Sequence, residues 1–405
     1  MVPVLSRRRL LAVAGTLAVG AGVGTALASS SAGSGSAWPM ARHGPAGRSH
    51  APNARPPRDG VAVRWKRPVD PDRGFAYGAT PVVADGRVYV AGDDLRVLDA
   101  ATGRDRFRVD RDLGTAAAVA PARAYTTPTL AVVESGRIGG LHANGGLDLF
   151  GSQAGVERWA VSRERGTTVF PNATPGQSPP VAAGETLLFA TAGGLLAVDA
   201  SSGEVRWRTG TDASRPVVHE GVVYAADYPT GVVGYDLETG ERRFGHEVPD
   251  TLALGVTAGA ERLVVATDDG LAGMTYDGTV RWQFAPDGLL RDRGAVALAD
   301  GVAYAGFRGE DDDWLVAVDA ADGTERWRSP AVPASEPQFA PPAVADGVVY
   351  VPERDRGMTA VDAADGSVRW RFDPDDRPFP WSPAALAGDA LYAVGDQYVY
   401  ALEEA

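Results

Sequence analysis

The chain has 405 residues, no cysteine and a formal net charge of −13. The missing thiols exclude a disulfide framework, a zinc–cysteine site, an iron–sulfur cluster and a cysteine nucleophile. The acidic balance, in which Lys66 is the one lysine and the other basic groups are arginine, speaks against nucleic acid or an anionic membrane surface as partner and suits a salt-loving source.

Residues 1–28 differ in kind from the rest. Ser6–Leu11 (SRRRLL) sets a twin arginine before an uncharged apolar stretch, and Ala26–Ala28 (ALA) offers a small-x-small cleavage site. This is the pattern of a twin-arginine export signal, so the chain is expected in the extracellular space or the cell envelope. An uncleaved anchor is the alternative, since Leu10–Ala28 approaches the length a bilayer needs, although its Ala and Gly content makes it only weakly apolar. Residues 29–37 read as a flexible Ser/Gly linker, and no later stretch is apolar enough to span a membrane.

From residue 38 onward the chain repeats itself. Seven segments end in Gly-x-x-x-Trp or Gly-x-x-x-Phe, with the aromatic at Phe107, Trp159, Trp207, Phe244, Trp282, Trp327 and Trp370. Successive aromatics lie 52, 48, 37, 38, 45 and 43 residues apart, the period of a four-stranded propeller blade. Each unit opens on a short strand after a proline, as in Thr80–Ala84 (TPVVA). It turns at Asp-Gly (Asp85-Gly86, Asp300-Gly301, Asp346-Gly347), continues in a Val/Tyr-rich strand, and reaches a third strand of the form Ala-Val-Asp-Ala. Alternation, β-branched residues and Gly turns predict an all-β fold.

Within each unit the residues have structural roles. Asp99, Asp199, Asp236, Asp319 and Asp362 end the third strand and are expected to accept hydrogen bonds from the turn backbone. Gly103, Gly203, Gly240, Gly278, Gly323 and Gly366 supply a left-handed turn residue. The aromatics then enter the outer strand and wedge against the next blade. In the second unit Gly151 stands where the Asp is expected, and in the fifth Met274 does.

The C-terminal unit, Ser382–Ala405, has three strands and no Gly-x-x-x-Trp strand. The missing Val-Arg-Trp occurs at Val63–Trp65 and recurs at Val205–Trp207, Val280–Trp282 and Val368–Trp370. The prediction is an eight-bladed β-propeller of four-stranded antiparallel blades over residues 38–405, closed by an N-terminal outer strand carrying Trp65 in the last blade.

The pattern Ala-x-Asp-x-x-(Thr/Ser/Asp)-Gly-x-x-x-Trp resembles the tryptophan-docking motif of pyrroloquinoline quinone repeats, and Trp38–His50 (WPMARHGPAGRSH) resembles the segment that often precedes such propellers. The resemblance covers Trp38 to the end. It implies either a quinoprotein dehydrogenase, with pyrroloquinoline quinone and calcium, or a cofactor-free scaffold like the outer-membrane β-barrel assembly lipoprotein. The dehydrogenase pattern of Asn, Glu and Asp ligands is not found, and its vicinal disulfide is impossible here.

Other chemistry is sparse. The five histidines (His43, His50, His142, His219, His246) show no metal-ligand spacing. Gly309–Trp314 (GEDDDW) reads as a solvated acidic loop tip rather than a calcium site, and Asn172–Thr174 (NAT) is a sequon. No catalytic or metal-binding residue is assigned, and no cofactor is expected. Loops after the second and fourth strands vary most, and a candidate binding face is drawn there from Tyr125, Phe170, Tyr228, Phe307, Trp314, Phe339, Phe379 and Trp381. The functional expectation is an exported, monomeric, non-catalytic scaffold for a protein or peptide partner. A quinone-dependent oxidoreductase or a carbohydrate- or small-molecule-binding propeller are the alternatives.

Overall fold

A computed structural model describes residues 37–68, 80–134, 136–149, 152–154, 156–162, 178–191, 193–210, 212–227, 231–286, 289–290, 296–308, 313–330, 341–353, 357–374, 382–395 and 398–405. The expected signal and most of the linker lie outside them. Asp-Gly pairs set the first hairpins. Asp85-Gly86, Asp300-Gly301 and Asp346-Gly347 all take positive φ at both positions, the two-residue turn whose twist matches paired strands.

Eight antiparallel four-stranded blades result. The first runs Val82–Ala84, Arg87–Ala91, Leu95–Asp99 and Asp105–Val109, each strand pairing with the next. The second contains Ala118–Ala120, Thr129–Glu134, Arg137–His142 and Glu157–Ser162, with a small hairpin, Leu147–Leu149 and Ser152–Ala154, inserted before its outer strand. Blades three to seven start at Val181–Ala183, Val217–His219, Ala253–Ala258, Ala297–Ala299 and Ala343–Ala345. They end at Val205–Arg208, Arg242–His246, Val280–Phe284, Glu325–Ser329 and Val368–Phe372. The last blade pairs Ala385–Ala387, Ala390–Val394 and Tyr398–Glu403 with Ala62–Pro68, which places Trp65 opposite Ala401. The N-terminal outer strand therefore closes the ring as expected, and the first strand of the last blade touches that of the first.

Burial explains the strand compositions. The second strand of the fourth blade, Val222–Asp227, is buried throughout, because neighbouring blades cover both its faces. The outer strand of the second blade, Glu157–Ser162, buries only Trp159 fully. The small residue of Ala-Val-Asp also has a reason. Ala197, Ala317 and Ala360 lie directly opposite Trp207, Trp327 and Trp370, and Gly140 and Gly273 opposite Trp159 and Trp282. The indole lies over its own blade at that position, and a Cβ on Gly140 would fall 2.2 Å from the Trp159 ring.

Residues 38–55 cross the inside of the ring. Inner strands of a propeller leave a row of backbone donors unpaired, and buried donors need acceptors. The crossing segment supplies them. Val83 exchanges hydrogen bonds with Trp38, and Val119, Val218, Ala258, Leu298 and Val344 donate to the carbonyls of Pro39, Pro45, Ala46, Arg48 and Ser49 at 2.8–2.9 Å. Arg55 N donates to Gly388 O, so seven of the eight blades are tied to one strip of chain. Four of these five donors are the middle residue of a three-residue inner strand.

Candidate functional site

The repeated phrase builds the contact between blades. The indole Nε1 of Trp65, Trp159, Trp207, Trp282 and Trp327 donates to the carbonyls of Ala100, Ala200, Leu237, Ala320 and Ala363 in the following blade, at 2.9–3.1 Å. Each ring also lies on that blade's turn glycine. A Cβ on Gly103, Gly203, Gly240, Gly323 or Gly366 would come within 2.5–2.7 Å of Trp65, Trp159, Trp207, Trp282 or Trp327 respectively. These glycines also hold φ between 67° and 79°. The position thus rejects a side chain twice, by backbone conformation and by contact.

The aspartates do what the sequence suggested and one thing more. Asp199 Oδ1 accepts from the amides of Ser201 and Ser202 at 2.9 Å, while its Oδ2 accepts from Arg206 at 2.6 Å. The same division holds for Asp236 with Glu238, Thr239 and Arg243, and for Asp319 with Ala321 and Arg326. Asp99 pairs with Arg106, and Asp362 with Arg369. The arginine before each aromatic was missed from the sequence, although Arg-Trp or Arg-Phe recurs seven residues after each Asp. The backbone amide of Thr239, then Arg243, holds the Asp236 carboxyl down at about 2, and Arg326 lowers that of Asp319. Burial alone would raise Asp99 and Asp199, but hydrogen bonds from Thr102 and Arg106, and from Arg206 and Ser202, outweigh it and lower both.

Two units are corrected. In the second, strand register puts His142, not Gly151, in the Asp position, two residues past the Gly140–Trp159 pair. Arg158 accordingly donates to His142 Nδ1 at 3.1 Å, and Phe107 of the first blade packs on Gly145. The inserted hairpin shifted the apparent motif downstream; Gly151 lies outside the described residues. In the fifth, the turn is one residue shorter. Thr275, not Met274, takes the Asp position, and Met274 points into the core with no exposed surface. Phe244 is a third departure. Its ring lies over Gly234 in its own blade, and His246 covers Gly278 in its place.

The last junction has no covalent turn. Trp370 Nε1 donates to Pro57 O at 3.1 Å, and the Glu404 carboxylate accepts from the amides of Asp59 and Gly60 at 3.0 Å. Chain ends meeting side by side thus reproduce what a single Asp-containing turn does elsewhere.

The candidate binding face is dispersed. Phe307 is fully buried and packs edge-on against Phe284. Trp314 is buried too, with the Arg328 guanidinium over its ring. Both belong to blade packing, because each sits within a paired strand rather than beyond its end. Tyr125 is 40% exposed. It follows Ala118–Ala120 and precedes Thr129–Glu134, so it lies on the face of the first and third turns, opposite the one expected. There Arg158 covers its ring at 4.0 Å. Phe170, Tyr228, Phe339, Phe379 and Trp381 lie outside the described residues.

A bound quinone with calcium makes specific demands. Among the described residues no three His, Asp or Glu side chains converge to hold a cation, and the chain has no cysteine for a disulfide against the ring. No helix among the described residues is long and apolar enough to cross a membrane.

A family profile described as outer membrane protein assembly factor BamB matches residues 143–273, 194–313 and 275–405, more than half of the chain. The crystal structure of BamB from Moraxella catarrhalis superposes with a TM-score of 0.62 at 15% identity, covering 85% of this chain and 97% of that one. A quinohemoprotein alcohol dehydrogenase from Comamonas testosteroni gives 0.69 at 13% identity, covering 91% and 80%. Among curated proteins, a serine/threonine-protein kinase, AfsK, from Streptomyces coelicolor is 28% identical over 273 residues, which is 62% of this chain and 30% of the kinase.

Proposed function

The chain belongs to the PQQ-repeat propeller family described as outer membrane protein assembly factor BamB, and from that premise we propose that it is an exported, non-catalytic scaffold that binds or assembles protein or peptide partners. One observation carries the reading: the repeated Asp and Arg side chains brace each blade's own last turn while the Trp rings on the turn glycines join blade to blade, and the inner strand edges are engaged by the chain's own crossing segment. None of these is left to work on a substrate, so recognition falls to the variable loops. The chain spans about a third of the length of the kinase relatives it matches, and kinase activity is not proposed. Export by the twin-arginine route belongs to the same reading and rests on Ser6–Leu11.

The test is affinity capture from the native cell surface with the intact chain and with a Phe379→Asp/Trp381→Asp variant. The expected result is at least a tenfold loss of the specifically captured proteins at unchanged thermal stability, since apolar anchors dominate binding energy. Undiminished capture by the variant counts against these loops as the binding face.

A further inference from the structure

The crossing segment carries an unusual burden of positive charge. Arg42, His43, Arg48 and His50 lie within nine residues of it, and Arg215, just before the inner strand of the fourth blade, joins them from the wall. Arg42 is buried and donates to Val296 O at 2.7 Å and to Thr257 Oγ1. Arg215 Nη2 donates to Ala41 O at 2.9 Å, while its Nε and Nη1 are buried without a partner. A Cβ on Gly47 would lie 3.4 Å from both Arg215 Nη1 and Arg42 Cζ, so the two guanidiniums flank one point. Burial first, then the charge of Arg42, lowers the Arg215 guanidinium. A buried and a half-buried cation at one spot are costly to hold together. Strain adds to this: Arg42, His43 and Ser49 all have positive φ.

We propose that the crossing segment is an acid-operated latch: protonation of His43 and His50 frees it from the inner strands. His43 packs against the Trp38 ring at 5.1 Å between centroids and is half-buried. The groups facing the two histidines are few. His43 meets His50 and a hydrogen bond with Ala37; His50 meets Arg48 of its own segment and Asp300 from the first turn of the sixth blade. Farther along, Arg48 binds Ala258 O and Gly259 O at 2.6 Å and bears on His219, which stacks on Tyr276 and faces Glu220 of the fourth blade. At the far end Asp346 of the seventh blade meets Arg55 and Arg58. Asp300 is thus the carboxylate that favours a charged histidine, and it reaches only His50.

The sign is fixed by linkage. Burial first, then His50, pushes His43 down to about 4, and burial lowers His50 in the same direction. A base whose seated form resists protonation stabilises the seated segment above its free value near 6.5 and loses that contribution as pH falls. His43 alone shifts the equilibrium toward release by about 80-fold between pH 6.5 and 4. The lowered aspartates of the blade turns lose their contribution only below about 4. Release therefore precedes any loosening of the turns that Asp236 and Asp319 brace.

Amide hydrogen exchange on the full chain tests this, because Val83, Val119, Val218, Leu298 and Val344 donate to the segment while Val223 and Val349 donate within blades. Between pH 6.5 and 4.5 the protection factors of the first set should fall at least tenfold, with those of the second unchanged. His43→Gln should remove most of that fall, and His43→Phe, which keeps a ring against Trp38, guards against a variant that fails to fold. If both sets lose protection together, or if the first set behaves identically in wild type and variants, the latch is wrong.

Discussion

Replacing Trp65 by alanine should cost about 3–5 kcal/mol, among the largest single effects available in this chain. Trp65 is buried, its ring lies on Gly103, and its indole donates to Ala100 O from a blade whose strands come from both ends of the chain. Ala100 O keeps the Tyr392 hydroxyl at 3.2 Å, so the loss is one of packing and closure rather than of an orphaned carbonyl. Trp65→Phe should be milder, about 1–2 kcal/mol, because it keeps most of the apolar area and loses the N–H. Urea unfolding checks the magnitudes. Hydrogen exchange checks the place, with Ala62–Pro68 expected to open before the rest of the last blade. A loss below about 1 kcal/mol for the alanine variant would mean that the other contacts of that strand suffice to close the ring.

Gly203→Val should be nearly as damaging, at about 3 kcal/mol or more. Gly203 sits at φ +75°, and its missing Cβ would fall 2.7 Å from the Trp159 ring. A β-branched residue there meets both a forbidden backbone and a filled space. Gly184 separates the two terms. It holds φ +60° with nothing within 4 Å of a Cβ, so Gly184→Ala carries the backbone cost alone, about 1 kcal/mol. Gly203→Ala should exceed it, and the excess should vanish in a Trp159→Ala background. Such non-additivity is the signature of two groups sharing one space.

These two positions show why so much of the fold was legible. A residue that must be glycine and an indole that must meet it leave a fixed spacing in the sequence, and Asp-Gly hairpins mark the strand before it. Spacing failed where the chain departs from one residue per place. The inserted hairpin of the second blade moved Gly-x-x-x-Trp away from the real turn, hiding His142 and Gly145, and a turn one residue shorter put Thr275 where Met274 was expected. The recurring arginine seven residues past each Asp was visible, but it reads as ordinary surface charge until Asp Oδ2 is seen to receive it.

The candidate face was far less legible, for a physical reason. An aromatic near a strand end looks the same in sequence whether it faces solvent or the neighbouring blade. Phe307 and Trp314 pair with each other across two strands and turn inward. Tyr125 changed faces because Ala118–Ala120, three small residues, had not been recognised as an inner strand. The crossing segment was recognisable only as something that precedes such propellers. That its backbone satisfies donors in six blades depends on contacts across up to about 300 residues, which no local pattern encodes.

The proposed function has this propeller work by binding partners and not by quinone chemistry. The most direct measurement is a titration of the purified full chain with pyrroloquinoline quinone and calcium, followed by the absorbance of the bound quinone and by dye-linked alcohol oxidation. The expected result is no saturable binding and no oxidation above the quinone alone. A stoichiometric bound chromophore that oxidises alcohols would contradict it.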